Sequence, residues 1–158
     1  MMSLSCKVLS ALKGKTLVTA ESLTGGGIGA ALTAVPGSST VYKGGIISYC
    51  DQVKNRILGV PEAVLEEFGA VSAQTAEAMA AGARQLLGAD IAVSVTGLAG
   101  PDGDGFGHEV GTVYIGYSDG MRCVCAEHHF TGDREKVRRK TVSSALEMIL
   151  EYNSKGAF

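Results

Sequence analysis

Between Thr16 and Leu32 a short apolar run stops at Glu21-Ser22, meets three consecutive glycines, Gly25-Gly26-Gly27, and continues as Ile28-Gly29-Ala30-Ala31-Leu32. The run is the length of a strand, and the small residues after it open a helix. A strand that breaks directly into a glycine-rich helix start is the opening of an alternating α/β chain. The rest of the sequence continues the alternation. Leu4 to Leu12 carries apolar side chains at helical spacing and Gly14 supplies a stop, which predicts a first helix ahead of this junction. Pro36-Gly37-Ser38-Ser39 reads as a turn, and Val41 to Cys50 as a second strand ending in Ser48-Tyr49. Asp51 is placed to cap a short helix to Leu58, and Pro61 to occupy the first position of another.

Ser72 opens a longer helix to about Leu87, with Ala76, Met79, Ala80, Ala83, Leu86 and Leu87 in period and small side chains that predict close packing. Asp90 to Thr96 is a continuous β-branched run of the kind that lies in the centre of a parallel sheet. A loop from Leu98 to His108 follows. Val110 to Tyr117 and Met121 to Phe130 flank Ser118-Asp119-Gly120 as an antiparallel hairpin, and a last helix runs from about Asp133 to Tyr152. This order predicts an α/β protein, a three-layer α/β/α sandwich. Its mixed sheet of about five strands is mostly parallel, with one antiparallel strand near an edge. With no linker or internal repeat, residues 1–158 read as a single domain, long enough to bury roughly two-thirds of the unfolded surface.

Ligands of open α/β sheets bind beyond the carboxyl ends of the strands, where crossovers diverge. Three expected strands end there in polar residues: Glu21-Ser22, Ser48-Tyr49 and Thr96-Gly97. Glycine, 22 of 158 residues, has no collagen-like period and must serve local turns and close approaches. Fourteen basic against sixteen acidic side chains leave a net charge of −2, too little to draw the chain onto nucleic acid or anionic lipid, so an anion would be bound locally. Four scattered cysteines read as reduced. With no apolar run near ~18 residues and no signal-peptide layout, the expected location is cytoplasmic, away from membranes.

Ser22 sits where a hydroxyl at a strand-to-helix turn adjoins glycines and free helical N–H groups, donors that suit an oxyanion or a phosphate. The spacing matches no Rossmann, P-loop or G-x-S-x-G pattern, so tight packing with Ser22 as a cap stands beside the site reading. A serine nucleophile needs a base. Tyr49, with Lys54 five residues later, offers one: a partly desolvated lysine accepts a proton and a tyrosine relays it, although a lysine on a solvated helix face is the commoner arrangement. The Ser10–Lys13 S-x-x-K match has none of its companion motifs and is set aside.

Arg134, Lys136, Arg138, Arg139 and Lys140 crowd the start of the last helix. At roughly 100° per residue, Lys136 and Lys140 fall on the outer face, while Arg134 and Arg138 fall within the arc of Val137, Thr141 and Ala145. Two guanidinium forks so placed reach past the sheet edge toward an anionic ligand group or a rim carboxylate. Cys123, Cys125, Glu127 and His129 share a strand face. At ~6.7 Å between same-face neighbours they span about 20 Å, too far for one ion that holds its ligands at ~2.3 Å, and no metal is expected.

The chain resembles the CinA C-terminal domain, the nicotinamide mononucleotide amidohydrolase family. The blocks that carry the resemblance run in order from Leu17 to the last helix: Ala20-Glu21-Ser22-Leu23-Thr24-Gly25-Gly26, Pro36 to Ser39, Tyr49 with Lys54, Gly69 to Ser72, Val95 to Pro101, Val110 to Val113, and Phe130 to Arg134. The resemblance implies hydrolysis of the carboxamide of nicotinamide mononucleotide to nicotinate mononucleotide and ammonia, with no cofactor. It implies Ser22 as nucleophile and Tyr49 and Lys54 as the proton-transfer pair. Glu21, Thr24, Gly25, Gly26, Thr96 and Gly97 would line the substrate, and Arg134 or Arg138 would hold its phosphate. The partner is thus a small nucleotide substrate, with a homo-oligomer left open. A hydrolase of another carboxamide and a non-catalytic nucleotide-binding module are the rival readings. Two positions depart from the family pattern: Cys50-Asp51 stands where Ser-Asn is usual, and His108-Glu109 where Lys-Pro commonly precedes Val-Gly-Thr-Val. The larger N-terminal domain of full-length members has no counterpart in these residues, so its pyrophosphatase activity is not expected.

Overall fold

The computed structural model describes residues 1–156. Its elements are α1 (Leu4–Ala11), β1 (Leu17–Glu21), α2 (Gly27–Thr33), a 3-10 turn (Ser38–Thr40), β2 (Tyr42–Ile47), α3 (Asp51–Arg56), α4 (Glu62–Phe68), α5 (Ala73–Leu87), β3 (Ile91–Gly97), β4 (Thr112–Ser118), β5 (Cys123–His129) and α6 (Arg134–Ser154). The strands form one sheet in the order β2-β1-β3-β4-β5. β1 pairs in parallel with β2 and β3, and β4 runs antiparallel to both β3 and β5. Four strands therefore share one direction and β4 opposes them beside the edge, as the segment order predicts.

Alternation along β1 divides the core. Leu17 points into the larger cluster, with Val8, Leu12, Ile28, Leu32, Ile91, Val93, Val95, Ile115, Val137 and Ile149, under α1, α2 and α6. Val18 and Ala20 point the other way, to Leu58, Leu65, Met79, Ala83 and Ala92, under α4 and α5. β3 is buried at every position but its last, which is why a continuous apolar run replaces alternation there. The small residues of α5 let it lie close on the sheet. Ala76 is fully buried and its carbonyl accepts a 2.6 Å hydrogen bond from Ser94 Oγ of β3.

Several boundaries shift. The second strand stops at Ile47, so Ser48 and Tyr49 lie in the connection beyond it. Cys50 takes the N-cap position of α3 without a side-chain bond and Asp51 is the first helical residue, while Pro61 is the N-cap of α4 and not its first residue. Leu86 and Leu87 are exposed, and Ala83 is the last buried position of α5. No helix among the described residues is long and apolar enough to cross a membrane.

The connection from β1 to β2 runs over one face through α2, and that from β2 to β3 over the other through α5, so β1 lies where the crossovers part. The carboxyl ends of β1, β2 and β3 meet there, the position at which open α/β sheets bind ligands.

Candidate active site

Ser22 is the first residue beyond β1, and Lys54 projects from α3 back toward it. Lys54 Nζ donates to Ser22 Oγ at 3.0 Å and to the Ser48 carbonyl oxygen at 2.7 Å. Both side chains are buried, Lys54 at 2% exposure and Ser22 at 8%. Burial pushes the Lys54 pKa below its ordinary value, against the charges of Asp51 and Cys50, which act to raise it. A lysine shifted by burial toward its neutral form, in hydrogen-bond contact with a serine, has the geometry that a base needs to take a proton from a nucleophile.

The turn that presents Ser22 is fixed from beneath by Glu21. Its carboxylate, 2% exposed, accepts from Thr24 Oγ1 at 2.6 Å, the Ile28 N–H at 2.9 Å and the Gly29 N–H at 3.1 Å. A buried anion at the start of α2 matches the orphan N–H groups and the positive end of the helix dipole. The Glu21 carbonyl oxygen accepts from both the N–H and the hydroxyl of Ser48, at 2.7 and 3.2 Å. Glu21, Ser48, Lys54 and Ser22 thus form one connected set.

A cavity of about 450 Å³ opens over the pair. Ser22, Tyr49, Lys54, Thr96, Gly97 and Arg134 all line it, together with Asp51 and the Ala70–Val71 wall. The 98–106 loop closes another side. Thr96 Oγ1 donates to the Ala70 carbonyl at 2.7 Å and so ties the wall to β3. Gly97 has its own packing reason, since an added Cβ would lie 2.7 Å from the Thr112 carbonyl oxygen. Asp104 gathers the loop: it accepts from the N–H groups of Phe106 and His108, and its Oδ2 lies 2.8 Å from His108 Nδ1. This brings the Phe106 ring over Gly69, where an added Cβ would approach it to 2.7 Å.

The two arginines separate. Arg134, the first residue of α6, donates to the Gly100 carbonyl at 2.7 Å and to the Tyr49 hydroxyl at 2.8 Å, and lines the cavity. Arg138 lies one turn further on and donates to the carbonyls of Leu23 and Thr24 at 3.0 and 3.3 Å, behind the Ser22 turn and outside the cavity. Tyr49 is 60% exposed and its hydroxyl is held by Arg134; it makes no hydrogen bond to Ser22 or Lys54 among the described residues.

Glu21, Thr24, Gly25 and Gly26 lie at the turn but not on the cavity. Four of the N–H groups expected to be free are taken within the segment, whereas those of Leu23, Thr24 and Gly26 have no acceptor among the described residues. Gly25 donates to the Ser22 carbonyl, Gly27 to that of Thr24, and Ile28 and Gly29 to Glu21. The positive φ of Gly25 and Gly26, +58° and +100°, shows what the glycines do: they bend the chain back under Ser22. Sequence reasoning placed Ser48 at this edge but gave it no role, since it meets Lys54 through a backbone carbonyl that has no side-chain signature. It also passed over Ala70, Val71 and Phe106 as lining residues.

Comparison with known proteins follows the same lines. A family model described as the CinA C-terminal domain matches residues 2–153. A nicotinamide-nucleotide amidohydrolase PncC of Pseudomonas putida is 47% identical over 138 residues, covering 87% of this chain and 86% of that one. A CinA-like protein of Geobacter metallireducens is 47% identical over 136 residues, covering 86% of this chain but 33% of its own length. The chain therefore spans about a third of that longer relative. Among solved structures, the competence damage-inducible protein A (ComA) of Klebsiella pneumoniae matches with a TM-score of 0.95 at 35% identity, covering 98% of this chain and 97% of that one.

Proposed function

The chain belongs to the CinA C-terminal domain family, and from that premise we propose that it is an amide hydrolase converting nicotinamide mononucleotide to nicotinate mononucleotide and ammonia. The observation that carries this reading is the 3.0 Å contact between the buried Lys54 amine and Ser22 Oγ at the floor of the cavity. The name of the Pseudomonas putida relative, nicotinamide-nucleotide amidohydrolase, supplies the substrate class.

In this mechanism neutral Lys54 takes the Ser22 proton as Oγ bonds to the carboxamide carbon. The oxyanion that forms needs donors, and the Leu23 and Thr24 N–H groups, which have no acceptor among the described residues, follow Ser22 directly. The ammonium of Lys54 then protonates the amide nitrogen, the C–N bond breaks and ammonia leaves an acyl ester on Ser22. Water, deprotonated by Lys54, cleaves the ester, releases the carboxylate and restores the serine. Tyr49 stands at the mouth with Arg134 and not in the proton path. Two contacts leave the Arg134 fork with N–H donors for a phosphate. Glu21, Thr24, Gly25, Gly26 and Arg138 act by holding the turn.

The test is incubation of the purified protein with nicotinamide mononucleotide while ammonia and nicotinate mononucleotide are followed. Equimolar formation of both is the expected result. Binding of the nucleotide without ammonia release would replace the hydrolase with a binding module, and turnover of a different carboxamide alone would replace the substrate.

A further inference from the structure

The side chains lining the cavity carry Asp51, Asp102 and Asp104 against Arg134 and the buried Lys54. Asp104 is occupied by His108, 2.8 Å away. Asp51 and Asp102 form no ion pair among the described residues and accept no hydrogen bond there, and Arg134 has no acidic partner. Asp51 is the more informative of the two because of its place. It is the first residue of α3, three before Lys54, and residues so spaced are neighbours on a helix surface, with about 5–6 Å between Cβ atoms. A carboxylate anywhere on that first turn satisfies the helix dipole. Asp51 is nevertheless exposed and lines the cavity that holds the Ser22–Lys54 pair, as well as a shallower one between α3 and α4.

A carboxamide carbon in contact with Ser22 Oγ puts the ring that bears it in this corner. We propose that Asp51 is a specificity-determining residue that selects carboxamides carried on a positively charged ring, such as an N-substituted pyridinium, over uncharged ones. The inference rests on the hydrolase reading above. A pyridinium nucleotide carries a cation at the ring and an anion at the phosphate, and the cavity offers a carboxylate beside the serine and a guanidinium at its mouth. An uncharged ring packed in the same corner takes water from Asp51 and gives no charge in return. Asp51 also offsets the repulsion between a cationic ring and Lys54 whenever the lysine is protonated.

The experiment measures equilibrium binding to Ser22→Ala, in which turnover is blocked, with nicotinamide mononucleotide and its reduced dihydropyridine form as probes. The two share carboxamide, ribose and phosphate and differ in ring charge. The oxidised form is expected to bind roughly fivefold tighter, the size of one exposed charge pair, and the preference should shrink as salt is raised. In Ser22→Ala/Asp51→Asn the preference should vanish through weaker binding of the oxidised form, with the reduced form unchanged. An equal preference in both variants overturns the role of Asp51 and leaves the hydrolase reading intact. Failure of both nucleotides to bind overturns the two together.

Discussion

In the proposed mechanism the chemistry turns on Lys54, on which burial and a carboxylate act in opposite directions. The base works when neutral, so kcat/KM should rise with pH through the Lys54 pKa, which burial sets below the ordinary lysine value. The nearby Asp51 raises that pKa, so Asp51→Asn should move the acid limb of the profile to lower pH; an unmoved limb would separate Asp51 from the base. Lys54→Ala should lower kcat by about 10³, whereas Tyr49→Phe should lower it less than roughly tenfold and act mainly on KM, because the hydroxyl meets Arg134 and not the serine. Steady-state kinetics of the two variants decide this. The positions of Ser22 and Arg134 at this edge were legible in the sequence, since a polar residue at a strand end and a helical phase are side-chain signals, while Lys54 stood out from a solvated helix lysine through the family resemblance. The role of Ser48 was not legible, as its carbonyl could belong to any residue, and the split between Arg134 and Arg138 needs the tertiary positions of Gly100 and Leu23.

At the scale of elements, the Ser22 turn is a strand end locked to a helix start by one buried carboxylate. Glu21→Ala would leave the Ile28 and Gly29 N–H groups without an acceptor and should cost about 3 kcal/mol in denaturant unfolding, the range for losing hydrogen bonds to a buried charge. Glu21→Gln keeps an acceptor and should cost less. Gly82 in α5 tests the packing of that helix against the chain that leaves α3 on the same face of the sheet. A glycine-to-alanine change inside a helix ordinarily gains about 1 kcal/mol, but here an added Cβ would fall within the Leu58 carbonyl group, whose backbone cannot yield as a side chain does. Gly82→Ala should therefore destabilise, by roughly 2 kcal/mol, and a raised Tm would contradict the close approach. The β-branched run of β3 and the small face of α5 made these elements readable. The caps were less so: Cys50 takes a position that residue preference assigns to Asp51, and this leaves the Asp51 carboxylate unbonded at the cavity.

Across the whole molecule the sheet order explains where function gathers. The β1–β2 and β2–β3 crossovers run over opposite faces, and the cavity forms where the ends of β1, β2 and β3 meet. The near-neutral net charge is consistent with a site that holds its charges locally, Asp51 beside the serine and Arg134 at the mouth. Helix and strand order predicted this architecture because each segment has a strong period or a glycine stop. The 98–106 loop has neither, and its shape depends on Asp104 meeting His108. In the proposed reaction Ser22, activated by Lys54, carries out amide hydrolysis in this cavity. Ammonia release from nicotinamide mononucleotide by Ser22→Ala beside the wild type tests it most directly. Release should fall by about 10³ or more while the nucleotide still binds; turnover by Ser22→Ala at the wild-type rate would contradict a serine nucleophile.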